Sequence, residues 1–436
     1  MYRKFFSLAL LLFLIAGNSY AQQQTKVFTG ATIFPITSEP IQNGVLIIKE
    51  GKIEAVGSAS SVRIPGNAEV IDASGKIIMP GLVDTHSHIG GGDGGDRSSP
   101  LHPDVRIVDA IDVHSDTFKK ARTGGVTTAN VMPGSGHLLS GQTIYLKLKN
   151  GRTLYDMVLK DTALHDGFAG GIKMANGTNS LRQPPFPGTR AKSAALQRNL
   201  FIEAQEYQKK MREAGNDADK MPPRNLRLEP LVEALEGKRI VHFHTHRHDD
   251  ILTVIRMSQE FGYRVVLHHV SEAAKVAEEI AEAGIPSSII VLDSPGGKLE
   301  AVNLLYNNGR ELEKAGAEVS FHTDDGVTDS RLFFRMAAFA VRDGMSRDKA
   351  LEALTISGAR MLDLDERVGS LEKGKDADFI LLNGDPLSVY THVMQTWIEG
   401  ELVFDRENPD HLPFATGGHE VYRGDYFDHY STGGNQ

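Results

Sequence analysis

The sequence predicts an α/β protein in which a (β/α) barrel is flanked by a small β-sandwich made from the two ends of the chain. Three observations carry this. Short β-like runs fill Thr25 to Ile78. After Lys238, strands alternate with helices, the signature of βα units. Beyond Lys375 the pattern returns to short β runs. The 436 residues suffice for one large barrel with an accessory domain, and 40% hydrophobic with 24% charged residues fits a packed globule.

In chain order, the opening residues are read as a leader. "MYRKFFSLALLLFLIAGNSYAQQQ" has a basic start at Arg3 and Lys4, an apolar run from Phe5 to Ala16, and small residues at Ser19 and Ala21. This is a secretory signal shape, with cleavage expected near Ala21 and an exported, periplasmic or secreted product. The apolar run is short for a transmembrane helix, so no membrane span is expected in the mature chain. Losing Arg3 and Lys4 takes the net charge from −9 to −11. Such a charge, with no basic stripe, argues against a nucleic-acid partner. The sequence has no cysteine, so disulfides, thiolate ligands and a cysteine nucleophile are excluded. A metal site must use His, Asp, Glu or Lys.

Next, "VFTGATIFPI", "GVLIIKEGKIEAVG" and "AEVIDASGKIIMP" read as strands broken by turns. The apolar "IIMPGLVDT" reads as a first barrel strand and "VTTANVMPG" as a second. "GQTIYLKLK" and "GGIKMANG" are the strand candidates that follow, with nothing to decide which are strands 3 and 4. Then "RIVHFHTH", "YRVVLHHV", "PSSIIVLD" and "EVSFHTDD" alternate with four helical stretches. These are "DDILTVIRMSQEFG", "SEAAKVAEEIAEAG" with Ser271 as N-cap, "LEAVNLLYNNGRELEKAG" and "SRLFFRMAAFAVRDG". "KDADFILLNGDPL" and "HVMQTWIEGELVFD" close the sandwich. The expected boundaries are a signal peptide over 1–21, sandwich over 22–78, barrel over 79–363, sandwich again over 364–406, and a polar C-terminal extension over 407–436.

Strand residues two apart share a face, so His86 and His88 in "GLVDTHSHIG" point together. Alone, His-x-His is a weak metal signal. It gains weight because His242, His244 and His246, then His268 and His269, then His322, Asp324 and Asp325 stand at the ends of later strands. Barrel enzymes draw their functional groups from such strand ends. His242 and His322, two residues earlier on their strands, are expected deeper and in supporting roles. His137, His246 and His248 are candidates for the substrate mouth. Arg247 is a candidate clamp for a carboxylate, with a surface ion pair as the blander reading.

With "PGLVDTHSHIG", "GVTTANVMPGSG", "HFHTHRHDDI", "VLHHVSEA", "FHTDD" and "VGSLEKGKDADFILLNGDPL", the chain resembles the amidohydrolase superfamily, most of all its imidazolonepropionase-like branch, from about Thr25 to Asp405. The resemblance implies a metal-bearing (β/α)8 TIM-type barrel with a composite β-sandwich, and one or two Zn2+ ions or another divalent metal. It places metal ligands at His86, His88, His244, His269 and Asp324, with His246 the alternative to His244 and His268 the alternative to His269. It implies that Lys173, in "IKM", is either a carboxylated bridge between two ions or a buried ion-paired lysine of a one-metal site. Where related sequences carry a "G-E-N-P-K-R"-like stretch this chain has "GTNSLR", which keeps Arg182, a candidate substrate contact.

The expected activity is metal-dependent hydrolysis of a C–N bond in a small molecule, a cyclic amide, dipeptide or N-acyl amino acid. Asp324 is expected to shuttle the proton and His269 to polarise the substrate or hold a second ion. A heterocycle deaminase and a non-catalytic periplasmic metal or ligand binder are the competing readings.

Overall fold

The computed structural model of the chain describes residues 24–92, 94–291, 299–418 and 421. The stretch read as a leader and most of residues 407–436 lie outside the described residues. Among those described, no helix is long and apolar enough to cross a membrane.

The N-terminal segment forms β1 (Lys26–Ile33), β2 (Ile41–Lys49), β3 (Lys52–Ser58), β4 (Glu69–Asp72) and β5 (Ile77–Pro80). The βα region supplies β6 (Leu82–Ser87), β7 (Val126–Val131), β8 (Leu139–Gln142), β9 (Ile144–Lys147) and β10 (Ile172–Ala175). It continues with β11 (Val241–Thr245), β12 (Val265–His269), β13 (Ser287–Ile289) and β14 (Val319–Phe321). The chain then returns as β15 (Phe379–Leu382), β16 (Val393–Ile398) and β17 (Glu401–Asp405).

Both ends of the chain share one eight-stranded sheet, ordered β17-β16-β15-β5-β1-β2-β3 with β4 beside β1. Its own core includes Phe28, Phe379 and Trp397. The Phe28 and Phe379 rings meet edge to face at 5.1 Å, and Trp397 stacks on Phe379 at 5.7 Å. Residue 81 then turns the chain from this sheet into β6. A side chain there would meet Thr127 at 2.2 Å, so only glycine lets β5 and β6 run past β7 this closely.

The functional strands lie in two further sheets, β14-β13-β12-β11-β10-β8 and β6-β7-β9. From β10 to β14 every pairing is parallel, as alternating strands and helices require. Where β14 and β6 meet, side chains make the seam: Thr323 N and Oγ1 donate to Asp84, at 3.1 and 2.5 Å.

Both strand candidates between β7 and β11 are strands, but the first differs in direction from a regular barrel. β8 pairs antiparallel with β10 and β9 antiparallel with β7. The break falls at Thr143, whose N–H and hydroxyl instead bond Gly171 across the turn. A 25-residue helix, Arg190–Ala214, leads on towards β11.

Two helix expectations change. Ser271 caps no helix: its hydroxyl lies 2.6 Å from His246 Nδ1, and the helix behind it begins only at Ala277. The stretch from Leu299 is a 3-10 turn, Leu299–Ala301, and then a helix over Asn308–Ala315. Both departures serve the histidines, because Ser271 and Glu300 are drawn to them.

A buried ion network ties the terminal sheet to the barrel. Lys147 of β9 lies 2.8 Å from Asp376 and 2.5 Å from Asp378, and Asp376 also pairs with Lys52 and Arg367. Burial pushes the Asp376 carboxyl up, but Lys147, Lys52 and Arg367 outweigh it and hold it at about 2. Its contribution to stability is therefore full above the ordinary carboxylate pKa, about 3.9, and is lost as pH falls through about 2. Asp376→Ala is expected to cost about 3 kcal/mol in urea unfolding at pH 7, the low end for a broken buried pair because Lys147 keeps Asp378. The difference between variant and wild type should shrink below pH 4, as an acid titration of unfolding midpoints will show.

Candidate metal and catalytic site

The strand ends converge on a nest of imidazoles. His86 Nε2 lies 3.3 Å from His88 Nε2, and Asp324 Oδ1 lies 3.3 and 2.9 Å from those same atoms. The three residues offer ligand atoms within 4.8 Å of one another. A second trio, His244, His246 and His269, meets the same criterion. His269 Nε2 stands 4.0 Å from Asp324 Oδ2, so the trios adjoin.

Local structure aims these groups. His88 follows β6 and its Nδ1 bonds the Met132 carbonyl at 2.7 Å, which turns Nε2 inward. His269 and Asp324 leave their strands in left-handed backbone, at φ 72° and 51°. A non-glycine residue held this way costs about 1–3 kcal/mol, a strain that clusters at functional sites. The Asp324 N–H donates to the His86 carbonyl at 2.9 Å, locking the two strand ends together. Beside it, Asp325 pairs with Lys120 at 2.7 Å, both side chains fully buried.

Burial, reinforced by Lys173 at His86 and His242 and mainly by neighbouring imidazoles at His268 and His269, holds His86, His268 and His269 well below the ordinary histidine range and His242 at about 3. These imidazoles are therefore neutral, the form that binds a metal. Lys173 is itself wholly buried on β10, with Nζ 3.0 Å from His86 Nε2 and 3.2 Å from Met132 Sδ. Buried His86 Nδ1 and His269 Nε2 have no hydrogen-bond partner. A set of neutral imidazoles, a carboxylate and orphaned ring nitrogens fits a Zn2+-type ion.

The predicted residues divide accordingly. His86, His88, His244, His269, Asp324 and Lys173 come together. His246, expected at the substrate mouth, is instead buried at 3% exposure among the imidazoles. His322, expected in a supporting role, forms a third candidate trio with His86 and His269, and its Nδ1 also bonds Ser288 at 2.8 Å. His242 stays below, linking Tyr145 to His268 at 2.8 and 3.0 Å. His137 and Arg182 belong to none of the trios, and Arg182 donates to the carbonyl of Gly136, the residue before His137. Arg247 makes a surface pair with Asp249 and His248 binds Glu272.

Sequence reasoning missed Glu300. Its buried carboxylate lies 3.3 Å from His244 Nε2 and 3.8 Å from His246 Nε2, and accepts the Thr178 N–H. A side chain at residue 177 would meet Glu300 at 2.1 Å, so Gly177 makes the approach possible. No spacing pattern announces Glu300, which comes from a loop beyond β13. A carboxylate on the outer nitrogen of a ligand histidine fixes its tautomer. Glu300→Gln is expected to weaken metal binding about 10- to 100-fold, read by titration with a competing chelator.

The family model described as "Amidohydrolase family" matches residues 226–403. An amidohydrolase structure from Thermotoga maritima is 33% identical, covering 87% of this chain and all of its own, with a TM-score of 0.81. The imidazolonepropionase of Fusobacterium nucleatum is 22% identical, over 84% of this chain and 92% of its own. Amidohydrolase tasK of Hapsidospora irregularis is 26% identical over 89% of this chain, which spans 43% of that longer protein. The likeness to that amidohydrolase structure implies a TIM-barrel fold of α/β type, here with a histidine-rich centre at its strand ends. The chain belongs to the amidohydrolase family, whose members are hydrolases of carbon–nitrogen bonds, and falls in its imidazolonepropionase-like branch.

Proposed function

We propose that the protein is a metal-dependent hydrolase that cleaves the C–N bond of a small amide, cyclic amide or dipeptide-type substrate. The observation that carries this is the meeting of the two trios, His86/His88/Asp324 and His244/His246/His269, beside Lys173. A divalent ion such as Zn2+ held there supplies Lewis acidity, polarising a carbonyl and bringing the pKa of water down to about 7.

The chain's own groups supply the rest. His86, His88 and Asp324 would hold one ion, and His244 and His269 would hold a second. Carboxylated on Nζ by CO2, Lys173 would add ligand oxygens to this site. Asp324 takes a proton from the attacking water and returns it to the departing nitrogen, so the amide yields an acid and an amine. Without a second ion, His269 would polarise the substrate carbonyl itself. The shared terminal sheet is read as the composite β-sandwich, and the leader-like N-terminus supports export.

Metal analysis of protein purified without chelators tests the reading, on wild type and Lys173→Ala. Two equivalents per chain falling to one or none is the expected result. One equivalent in both reduces Lys173 to a structural lysine. No metal in either, with no hydrolysis after Zn2+ addition, overturns the proposal.

A further inference from the structure

We infer that Thr85, Ser288 and His322 are positioning residues. They relay the Phe321 carbonyl, a fixed acceptor, to His269 and so leave the lone pair of His269 on Nε2, towards the centre. The inference rests on the metal-site reading above for its consequence, though not for the hydrogen bonds themselves.

Thr85 stands on β6, Ser288 on β13, His322 just past β14 and His269 at the end of β12. All are buried, none more than 2% exposed. Thr85 Oγ1 lies 3.4 Å from the Phe321 carbonyl oxygen and 2.6 Å from Ser288 Oγ. Ser288 Oγ lies 2.8 Å from His322 Nδ1, and His322 Nε2 lies 3.3 Å from His269 Nδ1. The nitrogen at the far end, His269 Nε2, has no hydrogen-bond partner and stands 4.0 Å from Asp324 Oδ2.

Such a chain has two possible directions, because a hydroxyl and a neutral imidazole each donate and accept. His322 and His269 are neutral, since burial disfavours their charged forms, so each ring has one proton to place. The end of the chain decides where. A carbonyl only accepts. Thr85 reaches it by pointing its hydroxyl proton at Phe321. Ser288 must then donate to Thr85, His322 Nδ1–H to Ser288, and His269 Nδ1–H to His322 Nε2.

Every contact along the chain is then a hydrogen bond, and the one group left over is an acceptor, His269 Nε2. In the reverse direction Thr85 spends its proton on Ser288. The bond to Phe321 is lost, and a buried N–H is stranded on His269. Losing a hydrogen bond and burying an unsatisfied donor both disfavour that arrangement.

A metal takes an imidazole by the nitrogen that carries no proton. At His88 a carbonyl sets this directly, because Nδ1 faces the Met132 oxygen. At His269 the carbonyl acts at a distance, through Thr85, Ser288 and His322. His322 is thereby withdrawn from the trio that it shares with His86 and His269, because Ser288 holds one of its nitrogens and His269 the other. The strand that carries His86 and leads into His88 thus also sets the tautomer of a histidine on β12.

Proton–nitrogen correlation spectra of the metal-free full chain, labelled at the histidine nitrogens, test the direction. His269 and His322 are both expected to carry their proton on Nδ1. In Ser288→Ala the His322 proton should move to Nε2, and that of His269 should follow. Competition with a chelator should then show Zn2+ bound about 10- to 100-fold more weakly. Thr85→Val is expected to act in the same sense, and Thr85→Ser, which returns the hydroxyl, to restore the wild-type affinity. His322→Gln keeps an oxygen that accepts from His269 Nδ1 and should hold as many metal equivalents as the wild type. A wild-type His269 protonated on Nε2 overturns the inference, and that spectrum decides even where a variant fails to fold. So does unchanged Zn2+ affinity in Ser288→Ala, or a metal equivalent lost in His322→Gln. Tautomers and Zn2+ binding as expected, with no hydrolysis of any C–N substrate, sink the hydrolase reading alone. Hydrolysis by a protein whose His269 carries its proton on Nε2 sinks the relay alone.

Discussion

Asparagine in place of Asp324 is expected to lower kcat by about 10²- to 10⁴-fold, the range for removing a positioned acid–base group. Asparagine keeps the shape, and its carbonyl oxygen can still face His88, where Asp324 Oδ1 now lies at 2.9 Å. It cannot accept the proton of the attacking water. Much of the metal should therefore stay while turnover goes, which metal analysis and kcat on the same preparation will separate. Full activity in this variant would show that another group carries the proton.

Lys120→Met is expected to cost about 3–5 kcal/mol of stability, because it leaves the Asp325 carboxylate charged and buried. Both side chains of the pair are essentially inaccessible, at 0% and 1% exposure. The effect should extend to catalysis. The Asp325 carbonyl accepts the His88 N–H at 3.1 Å, its other carboxylate oxygen accepts the Ser330 N–H at 3.1 Å, and Asp324 is the preceding residue. Losing Lys120 thus frees the segment that sets the spacing of His88 and Asp324. Urea unfolding gives the first effect and kcat on refolded, metal-loaded protein the second. If Lys120→Met/Asp325→Asn regains stability without regaining kcat, the pair positions the site as well as supporting the fold.

The site was legible where it obeys strand periodicity. His86 and His88, two apart, do bring their Nε2 atoms to 3.3 Å. The motif resemblance chose His244, His269 and Asp324 among close neighbours, and the structure brings all three to the centre. Periodicity failed where the chain leaves its strands. It put His242, His244 and His246 on one face but could not choose between His244 and His246, and His246 lies beyond Thr245, where the backbone turns and Ser271 receives its ring. Strands 3 and 4 resisted assignment because β8, β9 and β10 have four residues each, too few for a period to show direction.

The sequence by itself determined the alternation of elements, the joining of both chain ends in one sheet and the enrichment of imidazoles at successive strand ends, because these rest on local pattern and composition. Only the tertiary structure decided which imidazoles meet, that Glu300 reaches His244, and that Lys120 holds Asp325. Such contacts join residues as far apart in sequence as His86 and His322. They depend on register, loop path and the need to satisfy buried polar groups, none of which is written in any short stretch of sequence.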